Sequence, residues 1–215
     1  MGHLQEQLDE ITALTRALVQ PERLAPPEQL FEELFNNGAE QRILQVGAEA
    51  PEFELIDTTG KLVRLSDMLA LGPVVLNFFR GRWCPYCVTE LENWRDLYDA
   101  LRERGALIAA LGPQTVQQND FMVGQHTIPY PVLRDEGCEV AAQYGLVYTV
   151  PANVRDHYLS CLVNLGYING EASWTLPLPA TYLVGKDGKI LFAEAHADFR
   201  VRPEPEELLA VLDRQ

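Results

Sequence analysis

Cysteine is scarce in this chain, with four in 215 residues. That is too few for a secreted scaffold in which cross-links stand in for a core. Long apolar runs are missing too. No stretch approaches the ~18 apolar residues that signal a bilayer-spanning helix. Residues 1–20 are charged throughout and lack the continuous apolar segment of a secretory leader. Positive charge is in deficit, with 17 Lys and Arg against 31 Asp and Glu, a net charge of -14. Such a surface repels phosphate backbones and anionic lipid, so neither nucleic acid nor membrane is an expected partner. There are no internal repeats and no low-complexity tracts. A reducing, cytoplasmic setting follows as the expectation.

What is present is the composition of a soluble globular protein, 47% apolar and 22% charged. The length fits one domain with an extension and suffices for a core without disulfide support.

The chemistry concentrates in Arg80-Gly81-Arg82-Trp83-Cys84-Pro85-Tyr86-Cys87. An apolar run, Val74 to Phe79, precedes it, and a helical pattern from Val88 to Arg104 follows. Two cysteines separated by two residues therefore sit where a buried strand becomes a helix. The unpaired N–H groups and positive dipole end of a helix N-terminus stabilise a thiolate there and make it a nucleophile near neutral pH. Cys84 and Cys87 are also close enough along one turn to close a disulfide, which makes them a reversible dithiol. Arg80 and Arg82 either steady the thiolate or the leaving oxygen, or are plain surface charge. Trp83 and Tyr86 shape the mouth.

Around this turn the pattern reads as follows. Residues 1–19 form an amphipathic helix with Leu4, Leu8, Ile11, Leu14 and Leu18 on one face, packed on its own domain or forming a homodimer contact. Pro21, Pro26 and Pro27 interrupt it, and a second helix runs from Pro27 to Phe35. The extension ends near residue 40, and residues 41–215 make the main domain. Strands around Phe53–Asp57 and Leu62–Leu65 pair as a hairpin. Asp57 is a turn residue, and Ser66 and Asp67 cap a short helix. Ala106–Leu111 is a strand covered on both faces, and Tyr130–Leu133 is an edge strand because of its proline. Residues 146–176 read as an irregular insertion, of the kind that often acts as a flap. A hairpin, Thr181–Glu194, and a helix from Glu204 to Leu212 close the chain. Strands alternating with helices imply an α/β sandwich around a mixed sheet.

The Trp-Cys-x-x-Cys turn resembles the thioredoxin superfamily. Ala50-Pro51-Glu52-Phe53-Glu54-Leu55, Pro131-Val132-Leu133-Arg134-Asp135 with Val140 to Leu146, and Thr181-Tyr182-Leu183-Val184 with Asp187-Gly188 resemble, in that order, the peroxiredoxin branch, the alkyl hydroperoxide reductase / thiol-specific antioxidant family. The likeness covers about residues 43–215. It implies a thioredoxin-like fold, no cofactor, and a thiol peroxidase that reduces hydrogen peroxide or organic hydroperoxides. A Cys84–Cys87 disulfide then forms and is recycled by thioredoxin or a similar dithiol protein. Pro179 resembles the cis-proline of thioredoxins. The family's Pro-x-x-x-Thr-x-x-Cys pattern, set on Cys87, is followed by Glu90 as it should be, but has Cys84 for the threonine and Arg80 for the proline. The arginine that peroxiredoxins carry near Pro179 is also missing from that stretch. In the peroxiredoxin register Cys87 attacks. In the thioredoxin register it is Cys84, the more exposed end of the turn. A general thiol–disulfide oxidoreductase is the alternative function.

Zinc is disfavoured, because one Cys-x-x-Cys supplies two ligands and His126, His157 and His196 lack metal spacing. Cys138 reads as a small buried hydrophobe. Cys161 is a candidate for a secondary or intersubunit disulfide. His196 is packed or solvated.

Overall fold

The computed structural model describes residues 3–214. In chain order the elements are α1 (Leu4–Leu18), α2 (Pro21–Asn36), β1 (Glu54–Ile56), β2 (Leu62–Arg64), α3 (Leu65–Leu71), β3 (Val74–Phe78), α4 (Pro85–Asp96), α5 (Tyr98–Glu103), β4 (Leu107–Gly112), α6 (Val116–His126), β5 (Val132–Arg134), α7 (Glu139–Gln143), β6 (Val147–Thr149), α8 (Ala152–Ser160), α9 (Leu165–Asn169), β7 (Thr175–Pro177), β8 (Ala180–Val184), β9 (Ile190–Ala195) and α10 (Pro205–Leu212).

Five strands form the central sheet in the order β5-β4-β3-β8-β9. β3, β4 and β5 run parallel, and β8 and β9 are antiparallel to their neighbours. This is the expected mixed sheet, with β5 at the edge its proline demands. β1 and β2 pair as the expected hairpin. Asp57 Oδ1 closes its turn by accepting from Thr59 N–H at 2.8 Å and Lys61 N–H at 2.9 Å.

The sheet is covered on both faces. Strand alternation sends Val74, Leu76 and Phe78 into one core with Tyr144 and Tyr182. Val75 and Phe79 enter the other, with Leu91, Trp94 and Ile108. Asn77 shares the second face by parity, and so points toward α4. That single polar residue in a buried strand has a functional consequence described below.

Leu4 and Leu8 of α1 are buried in the second core, and α1 packs on α4. Leu14 and Leu18 further along it are exposed. The α1 N-terminus is held from the far end of the chain. The carboxylate of Glu204 accepts from the N–H groups of Leu4 at 2.8 Å and Gln5 at 2.9 Å, so a long-range acid caps the helix. A similar device replaces the expected Ser66 and Asp67 cap on α3, where Glu52 accepts from Ser66 N–H at 3.1 Å.

Three expectations need correction. The second helix begins at Pro21, six residues before the expected start, and continues through Pro26 and Pro27. Proline's fixed φ is compatible with a helix, although each interior proline removes an N–H donor and crowds the carbonyl four residues back. The helix after the cysteines starts at Pro85 and divides at Leu97 into α4 and α5. Residues 146–176 are not irregular. They contain β6, α8, α9 and β7, with β6 and β7 paired antiparallel and Val154, Tyr158, Leu165 and Leu176 in the core. Among the described residues no helix is long and apolar enough to cross a membrane.

If Glu204 anchors α1, Glu204→Ala lowers unfolding stability by about 1 kcal/mol, the usual scale of a lost N-cap. Urea titration should show the lower midpoint, and hydrogen exchange should be faster at the start of α1. An unchanged midpoint with unchanged protection of α1 contradicts this anchoring.

Candidate active site

β3 ends at Phe78, and the chain turns through Arg80–Trp83 into α4, whose N-cap is Cys84. Pro85 stands at the first helical position, where its missing N–H is not needed. Cys84 and Cys87 are thus on the first turn of a twelve-residue helix. Both are free thiols, and neither is exposed: Cys84 is 1% accessible and Cys87 is 0%. Cys84, expected as the more exposed end of the turn, is nearly as shielded from bulk solvent as its partner. The two still differ, because Cys84 lines a cavity of about 250 Å³ and Cys87 lies behind it.

Two buried arginines flank the dithiol. Arg80 Nη1 is 3.9 Å from Cys84 Sγ, and Arg202 Nη2 is 3.6 Å from Cys87 Sγ. Arg80 is 1% exposed and therefore not surface charge. Its guanidinium donates to the Tyr158 hydroxyl and lies 3.9 Å from the ring centre of Phe199 and 4.6 Å from that of Trp83. Among the described residues it has no carboxylate partner.

Arg202 has a carboxylate partner. Its Nε donates to Glu90 Oε2 at 2.7 Å, with both side chains 1% exposed. Glu90 Oε1 accepts from Asn77 Nδ2 at 2.7 Å and from Thr181 Oγ1 at 2.9 Å. This explains the polar residue in the buried strand. β3 and β8 each lend one donor to hold a carboxylate on α4, and that carboxylate holds Arg202 beside Cys87. A buried ion pair is tolerable when its remaining lone pairs are satisfied in this way.

The charges divide the two thiols. Burial pushes the Cys84 thiol up, but the neighbouring Cys87 thiol and the charges of Arg80 and Arg202 outweigh it and bring Cys84 down to about 6. Burial, the hydrogen bond to Cys84 and the charge on Cys84 push Cys87 well above the ordinary thiol value. The surroundings thus favour ionisation of Cys84 over that of Cys87.

The cavity beside Cys84 is walled by Thr12 of α1, Val19 just beyond its end, Leu24 and Phe31 of α2, Tyr158 of α8, and Phe199. The N-terminal helices therefore form part of the site. Tyr86 also faces it, 3.2 Å from the Thr12 hydroxyl, and Trp83 packs on Tyr158 with ring centres 5.1 Å apart. Both aromatic residues of the turn shape the mouth as expected.

Other predicted residues lie elsewhere. Arg82 turns away, with Nε donating to Gln118 and its guanidinium 4.9 Å from the Phe121 ring. Pro179 is buried next to Ala180, which pairs with Phe78 at the end of β3. No peptide bond among the described residues is cis, so the likeness to a cis-proline does not hold. Cys138 is buried, as expected, and burial pushes its thiol up. His196 is half-buried against Glu194 at 2.8 Å. Arg202 was not anticipated, since nothing near residue 202 marks it in sequence.

Residues 46–193 match the AhpC/TSA family. The thiol-disulfide oxidoreductase ResA of Bacillus thuringiensis is 30% identical over 149 residues, 69% of this chain and 68% of that protein. Among solved structures, peroxidoxin BcpB of Mycobacterium tuberculosis superposes with a TM-score of 0.62 at 26% identity, covering 80% of this chain and 97% of that one. Mycobacterium tuberculosis AhpC shares the fold with a TM-score of 0.59 at 18% identity, covering 80% and 92%. The chain belongs to the AhpC/TSA family and is an oxidoreductase on a thioredoxin-like, peroxiredoxin-type fold.

Proposed function

We propose that the protein is a thiol peroxidase that reduces hydrogen peroxide or small organic hydroperoxides, with Cys84 as the attacking thiolate and Cys87 as the resolving thiol. The observation that carries this is the seclusion of an ionised sulfur. Cys84 is 1% exposed and is approached through a cavity of about 250 Å³. A peroxide fits that space, whereas a disulfide on the surface of a folded protein does not readily reach its floor.

The half-reactions follow from the charges. The Cys84 thiolate attacks the nearer peroxide oxygen, the O–O bond breaks, and the departing oxygen leaves as hydroxide or alkoxide and takes a proton. Arg80 stands where that negative charge develops. Cys84 is now a sulfenic acid. The Cys87 sulfur attacks it and releases water, and Arg202 steadies that sulfur as it loses its proton. The sum is two thiols and one peroxide converted to one disulfide, an alcohol or water, and a second water. An external dithiol protein of the thioredoxin type returns the two electrons.

The rival reading, a thiol–disulfide oxidoreductase with little peroxidase activity, is favoured by the Trp-Cys-Pro-Tyr-Cys turn and by the name of the ResA relative. Peroxide consumption coupled to thioredoxin and its reductase separates the two. The intact protein is expected to turn over. Cys84→Ser should lose peroxide reduction, while Cys87→Ser should still consume one equivalent of peroxide at Cys84 in a single turnover. Reduction of insulin disulfides without peroxide consumption would overturn the peroxidase reading.

A pH profile gives a second check. The thiolate is the deprotonated form, so the single-turnover rate with peroxide should rise with pH through about 6 and then level. Arg80→Met removes the nearest cation without changing the bulk greatly. Its profile should shift upward by about one to two pH units, the usual scale for loss of an opposite charge at this range. An unshifted profile would show that Arg80 does not hold the thiolate.

A further inference from the structure

The seclusion that suits a peroxide creates a difficulty for the return half of the cycle. A reducing protein must strike a disulfide sulfur, yet both sulfurs lie beneath α1, α2 and α8. Cys161, which caps the C-terminus of α8, is exposed and lines the same cavity as Cys84. Tyr158, three residues earlier on the same helix face, already reaches the site, since its hydroxyl accepts from Arg80, whose other terminal nitrogen is 3.9 Å from Cys84 Sγ. Leu159 and Leu162, which flank Cys161, are 46% and 92% exposed and offer apolar contact to an incoming protein.

We propose that Cys161 is a relay thiol, carrying electrons from an external dithiol protein to the Cys84–Cys87 disulfide. This rests on the dithiol cycle proposed above. Cys161 gives its proton to His157 Nε2, 3.9 Å from its sulfur. His157 is available as a base because burial and the nearby Arg23 charge keep its imidazole neutral. The Cys161 thiolate attacks Sγ of Cys84, the sulfur that faces the cavity. A Cys84–Cys161 bond forms, the Cys84–Cys87 bond breaks, and the electron pair leaves on the Cys87 sulfur beside Arg202, which then takes up a proton. The external dithiol's first thiolate attacks the exposed Sγ of Cys161 and releases Cys84 as the thiolate beside Arg80. Its second thiol closes the carrier's own disulfide and frees Cys161. One external dithiol is oxidised, and Cys84 and Cys87 are reduced.

The test uses the full chain, oxidised with peroxide and then reduced with either thioredoxin or dithiothreitol. Cys161→Ser should form the Cys84–Cys87 disulfide normally. Its reduction by thioredoxin should slow by at least about tenfold, while reduction by dithiothreitol, small enough to enter the cavity, should stay within about twofold. In Cys87→Ser, peroxide followed by peptide mapping without reductant should give a Cys84–Cys161 cross-link. Thioredoxin reducing Cys161→Ser at the wild-type rate, or Cys87→Ser giving a Cys84 sulfenic acid with no cross-link, overturns the relay and leaves the dithiol cycle standing. Absence of any Cys84–Cys87 disulfide in the oxidised wild-type protein overturns both.

Discussion

A buried guanidinium without a carboxylate is the constraint around which this molecule is arranged. Arg80 is 1% exposed, and its neighbours are aromatic rings, a tyrosine hydroxyl and the sulfur of Cys84. An uncompensated charge in such a place costs several kcal/mol. The other buried cation, Arg202, is matched by Glu90. With Glu90 already taken, ionised Cys84 is the group that brings the cluster to electrical balance. The low thiol value of Cys84 and the high one of Cys87 are two sides of the same accounting, since one negative charge is wanted and not two.

The rest of the fold serves this cluster. Strand parity puts Asn77 and Thr181 on the α4 face, where they orient Glu90. Glu90 is one turn beyond Cys87 and so fixes Arg202 against it. The N-terminal helices, pinned by Leu4, Leu8 and Glu204, wall the space in front of Cys84. They narrow the approach to Cys84, and are as much part of the site as the helix N-terminus that carries the cysteines.

Much of this was legible in the sequence because it is local. The strand, the Cys-x-x-Cys turn and the helix are contiguous, and the mixed sheet followed from alternating strands and helices. The paired hairpin residues and the turn at Asp57 were equally local. What was not legible depends on distance along the chain or on cancelled signals. Arg202 meets Cys87 across 115 positions, and no spacing announces it. The helices of residues 146–176 are nine and five residues long and are bounded by Pro151 and Gly170, so their periodicity is too brief to register. The amphipathic face of residues 1–19 told of burial but not of the surface that receives it. Arg80 and Arg82 look alike in sequence, and only the turn geometry sends one under the thiol and the other toward α6.

The central claim is that the hydrogen bond from Cys87 and the charges of buried Arg80 and Arg202 together favour the Cys84 thiolate. Thiolate absorbance at 240 nm, followed as the reduced protein is titrated, tests it directly. The account predicts a step near pH 6 that moves upward in Arg80→Met and is absent in Cys84→Ser. A first step only above pH 8, or one that survives in Cys84→Ser, would contradict it.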